Sequence, residues 1–163
     1  MYDPTFWRTE IWHPLTVHFP ISFLLLATLV MLIALFLKGT QAHFWYRAGA
    51  YLLYVGCLMA WVSIYTGGLA DGIVSRKICD PTVLKDHEIA ADNMAYIFSA
   101  ATLLVLALRL NLVRVKTRLL QIVAVLLMVV GSGFLAYAGH LGASVVYQQA
   151  GGVNVPAGDC AGF

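Results

Sequence analysis

Four stretches of this chain are too apolar to form the surface of a water-soluble domain, and they decide what it can fold into. They run from Pro14 to Leu37, Phe44 to Thr66, Ile89 to Leu110 and Leu119 to Ala138. Each reaches or approaches the ~20 apolar residues that cross a hydrocarbon core as a helix. Of the 163 residues, 61% are hydrophobic and 11% charged, well away from ordinary soluble composition. The pattern predicts an all-α integral membrane four-helix bundle in a single domain over 1–163. Its helices are expected at about 14–37, 44–66, 81–110 and 119–147, followed by an irregular tail over 148–163. The first stretch has no basic leader, exceeds a normal signal core and shows no convincing cleavage site, so it is expected to stay in the mature chain. No internal repeat or extended low-complexity run is visible.

Charge sets an expected orientation. Four crossings put both termini and the connection between the second and third helices on one side. The opposite face gathers Lys38, Arg47, Arg109, Arg114, Lys116 and Arg118 with no acidic residue, which the positive-inside rule assigns to the cytoplasm. The acidic residues Asp3, Glu10, Asp71, Asp80, Asp86, Glu88, Asp92 and Asp159 all fall on the other side, with Arg8, Arg76, Lys77 and Lys85. Both termini are therefore expected on the outer, periplasmic face of a bacterial inner membrane. Cys79 and Cys160 share that face and form a candidate disulfide, with two unpaired thiols as the alternative. Cys57 lies within the second span, where a thiol is inert. A net charge of +2 and the absence of a glycine-rich phosphate loop give no reason to expect nucleic acid or nucleotide as a partner.

Local signals refine the helices. Pro14 suits a first helical position, with His13 at or near the cap. Pro20 lies inside the same span and is expected to kink it near His18. Asp80-Pro81 reads as an N-cap followed by proline at the first helical position. Gly49, Gly56, Ala60, Ser63 and Gly67 put small residues along the second span, where a neighbouring helix can approach closely.

The histidines carry the chemistry. His13, His18, His87 and His140 lie near the outer ends of the first, third and fourth helices, whereas His43 is on the basic side. Neutral imidazole is the commonest transition-metal ligand and a frequent axial ligand to haem iron. Helix bundles build such sites from facing helices. Ser132 and Ala136 precede His140 at four-residue spacing, which predicts a shallow groove beneath that imidazole. Asp86, Glu88 and Asp92 are candidates to orient a ligand or exchange protons. The alternative is that these histidines are interfacial polar residues marking the edge of the apolar zone. No serine-histidine-acid arrangement or activated cysteine is present.

Four motifs give a family resemblance: "HPLTVHFPI" opening the first helix, "TGGLADG" after the second, His87 in a helix ending "LRL", and "GHLGASVVYQQAGGV" after the fourth. With these the chain resembles the uncharacterised membrane-protein family known as domain of unknown function 2231. Ala143 and Gln148 depart from its pattern, standing where a glycine and a basic residue are usual. The resemblance implies a small four-helix membrane protein, and since members are joined to c-type cytochrome or Rieske-like domains, it implies redox surroundings. Its motif histidines fall on His13, His18, His87 and His140.

Together these readings predict a membrane-embedded, cytochrome b-like electron-transfer subunit. One or two haem b groups are expected on axial imidazoles, chiefly from His18, His87 and His140 with His13 as a fourth. The expected partners are the lipid bilayer, a c-type cytochrome or periplasmic oxidoreductase, and quinone. The alternative is a copper- or zinc-binding, or purely structural, membrane subunit.

Overall fold

The structure, a computed structural model, describes residues 7–113 and 117–153. Its helices are α1 (Thr9–Thr16), α2 (His18–Ala34), α3 (Gly39–Val74), α4 (Pro81–Arg109) and α5 (Thr117–Tyr147). α1 and α2 together make one crossing, so four helical spans are long and apolar enough to traverse a membrane.

The break at Val17 has a simple cause. Pro20 has no N–H to give the carbonyl of Thr16, so the ladder loses a rung where α1 ends and α2 begins. Val17 stays right-handed helical, with its N–H on the His13 carbonyl at 3.1 Å, so the chain continues through it as one span. Pro14 differs from its expected place. The helix starts at Thr9, five residues earlier than Pro14, which leaves that proline and His13 inside α1.

α3 also exceeds its expected 44–66. Its 36 residues make about 54 Å at 1.5 Å per residue, well beyond the ~30 Å hydrocarbon core. "TGGLADG" continues this helix, because its glycines serve packing there. α4 begins as expected: the Asp80 side chain accepts from the Thr82 backbone N–H at 2.9 Å and from the Thr82 hydroxyl at 2.6 Å. Those Thr82 bonds hold the Asp80 carboxyl below its ordinary range.

The spans pack as a ring in which α2 touches α3 and α5, and α4 touches α5 and α3. The seams have seven-residue periodicity, the signature of left-handed helix packing. Residues 49, 56, 63 and 70 of α3 are buried, as are 124, 131, 138 and 145 of α5. The two series are 75 residues apart. α2 and α4 repeat each other with an offset of 74: Leu24 and Phe98, both fully buried, each cover a glycine of the following long helix. A Cβ on Gly56 would stand 2.7 Å from Leu24 Cδ2, and one on Gly131 would stand 2.8 Å from Phe98 Cε2. The two helical hairpins thus repeat one pattern of contact positions without repeating residue types.

Gly131→Val tests this close approach. Valine places two methyl groups against the buried Phe98 ring, and overpacking of this kind costs about 1–3 kcal/mol. A thermal unfolding midpoint lowered by several degrees in detergent is expected, with no such loss for Gly133→Val, whose Cβ would meet nothing within 4 Å.

Charge is segregated along the bundle. Among the described residues Glu10, Asp71, Asp80, Asp86, Glu88 and Asp92 stand with Arg8, Arg76, Lys77 and Lys85 at the end where α3 finishes and α4 starts, and Lys38, Arg47, Arg109 and Arg118 stand without acidic residues at the other. Cys57 is buried and Cys79 exposed. Cys160, with the disulfide expected for it, lies outside the described residues, as do Asp3, Arg114, Lys116 and Asp159.

Candidate cofactor site at the acidic end of the bundle

At the acidic end the spans enclose a cavity of about 880 Å³, within the range of ligand and cofactor pockets. Two imidazoles define it. His13 reaches in from α1 and His87 from α4, with ring centroids 5.9 Å apart and planes at 76°. Both are half-buried.

Each ring is held in the same way. His13 Nδ1 lies 2.9 Å from the Ser63 carbonyl oxygen of α3, and His87 Nδ1 lies 2.8 Å from the Ala138 carbonyl oxygen of α5. A carbonyl only accepts, so in both rings Nδ1 carries the proton and donates it. That leaves Nε2 as the nitrogen with a lone pair whenever the ring is neutral. Metal-ligating histidines are commonly fixed by this arrangement, the far N–H donating to a carbonyl while the near nitrogen binds.

A glycine one turn beyond each carbonyl makes room for the ring. A Cβ on Gly67 would stand 3.1 Å from His13 Nδ1, and one on Gly142 would stand 3.1 Å from His87 Cε1. His13 and His87 are 74 residues apart, while Ser63 and Ala138, like Gly67 and Gly142, are 75 apart. The histidines therefore occupy equivalent positions in the two hairpins and meet where the halves face each other. Around His13 a hydroxyl cluster adds support: Thr16 Oγ1 lies 2.8 Å from Thr66 Oγ1 and 3.2 Å from Ser63 Oγ.

The other expected site residues separate. His18 is exposed but lines the cavity, as do Glu88 and Asp92. Asp86 is exposed and His140 is exposed on α5, and neither lines it. The groove expected beneath His140 belongs instead to Ala138 and Gly142, which receive His87. Glu10 and Asp71 line the cavity without having been singled out; Glu10 pairs with Arg8 at 2.7 Å. Among the described residues, no three His, Cys, Asp or Glu side chains are placed to share one metal ion.

A family model described as a predicted membrane protein, DUF2231, matches residues 11–155. The chain belongs to this family. It is a multi-pass membrane protein, and the matched region runs from before His13 to beyond Gly142. No curated protein and no solved structure matches it.

Proposed function

We propose that this DUF2231 protein is a membrane-embedded electron-transfer subunit that holds haem b between His13 and His87. The observation that carries this reading is the facing pair of imidazoles, each locked through Nδ1 to a carbonyl of a different long helix. Two imidazoles are the donor set of a six-coordinate haem iron, whereas a structural zinc site takes four protein ligands. His13 and His87 would be the residues to hold such an iron, each through the Nε2 that its Nδ1 hydrogen bond leaves free.

When bound, haem supplies a one-electron couple. The chain's own residues do the rest. Ser63 and Ala138 fix the tautomer of the two ligands, and Gly67 and Gly142 let the rings lie against their helices. His18, Glu88 and Asp92 at the cavity give titratable groups through which protons can be exchanged with the outside. A periplasmic oxidoreductase or c-type cytochrome on this side and the quinone pool are the proposed electron partners.

The test is optical. Full-length protein purified from membranes is expected to show a reduced-minus-oxidised spectrum with sharp Soret and alpha bands. A preparation with no porphyrin, or with copper or zinc in its place, overturns the haem reading.

A further inference from the structure

We propose that the pocket at the basic end of the bundle binds a phosphate group of the kind an anionic phospholipid presents. This pocket, about 290 Å³, lies between the end of α2, the start of α3 and the first turns of α5. It is independent of the histidine cavity, which opens at the other end.

Its polar lining is rich in donors. Lys38, His43 and Tyr46 from the start of α3 meet Arg118 from α5 there, and among the described residues no acidic side chain stands at this end. Arg118 is already positioned, one guanidinium nitrogen donating to the Leu35 carbonyl at the end of α2. Its planar fork leaves further N–H groups for an anion, and such forks match phosphate oxygens.

Two further observations point to a ligand. The Tyr46 hydroxyl, on a side chain lining the pocket, is buried with no hydrogen-bond partner, a state it shares with Tyr54 and Thr102 outside the pocket, although buried polar groups are nearly always paired. α3 starts at Gly39 with no side-chain cap on its free N–H groups, and such a helix start favours anions. An acceptor-only ligand with several oxygens answers all of these donors at once. Basic pockets between transmembrane helices are where anionic headgroups bind, and this one borders the apolar spans.

Native mass spectrometry of the full chain released from detergent tests the proposal, with phosphatidylglycerol and phosphatidylcholine of identical acyl chains as probes. Two cations near a phosphate are expected to give roughly a twenty- to thirtyfold preference for phosphatidylglycerol. Lys38→Ala/Arg118→Ala is expected to bring the ratio close to one. Because Arg118 also holds Leu35, Lys38→Ala/His43→Ala serves as a second variant that leaves that bond in place, and it too is expected to cut the preference. Displacement of the lipid by millimolar inorganic phosphate would identify free phosphate as an equal source; retention would identify the headgroup. Equal retention of both lipids by the unmodified protein, or an unchanged preference in both variants, overturns the proposal.

Discussion

His13→Ala and His87→Ala are each expected to abolish the haem spectrum, while His140→Ala leaves it intact. The two rings face each other at 5.9 Å, so removing either takes away half of the proposed donor set. Losing an outer partner of a metal ligand already costs about 10–100-fold in affinity, so loss of the ligand itself is expected to exceed that. His140 is exposed and stands apart from the cavity, and its removal opens nothing. The measurement is the haem-to-protein ratio of each purified variant, with far-ultraviolet circular dichroism as the control for helix content. Equal loss in His140→Ala and His87→Ala would overturn the pairing.

The glycines beside the rings are expected to matter nearly as much. Gly67→Leu and Gly142→Leu fill the space that the His13 and His87 rings occupy, since even a bare Cβ would come within 3.1 Å of each. The imidazoles must then swing away, breaking their Nδ1 bonds to Ser63 and Ala138. Gly72→Leu and Gly133→Leu are matched controls on the same two helices, because a Cβ at either position meets nothing within 4 Å and neither residue lines the cavity. The expected result is haem loss in the first pair and retention in the second, read from the same spectra. Retention in all four would mean that the rings are not held as described.

Much of the architecture was legible because it follows from strong local signals. Twenty-residue apolar runs set the spans, Asp80-Pro81 sets the start of α4, and the missing N–H of Pro20 sets the break at Val17. The histidine end of the molecule was legible too, since four helices of alternating direction leave little choice about which residues share a side.

The choice of partners within that end was not. Four-residue spacing drew attention to Ser132, Ala136 and His140, yet the buried stripe of α5 is 124, 125, 128, 131, 135, 138 and 145. His140 lies two residues past Ala138, about 200° around the helix, and so faces outward. The signal that could have found the site is the seven-residue spacing itself. His87 is seven before the buried Met94 and fourteen before the buried Ala101, and His13 is seven before the buried Pro20. Backbone carbonyls carry no sequence signature, so Ser63 and Ala138 could not be recognised as anchors without the fold.

The repeated pattern has a consequence for where such a molecule can come from. One hairpin supplies one imidazole, one anchoring carbonyl and one glycine hollow, which is half of a centre and useless alone. Two copies of that hairpin pairing as a homodimer would place identical histidines across the symmetry axis and complete it. A tandem fusion of two such hairpins would free the halves to diverge, and at the 74-residue offset Pro14 and His18 of one half correspond to Glu88 and Asp92 of the other. Co-expression of residues 1–78 and 79–163 as separate chains is the natural way to ask whether such an association forms.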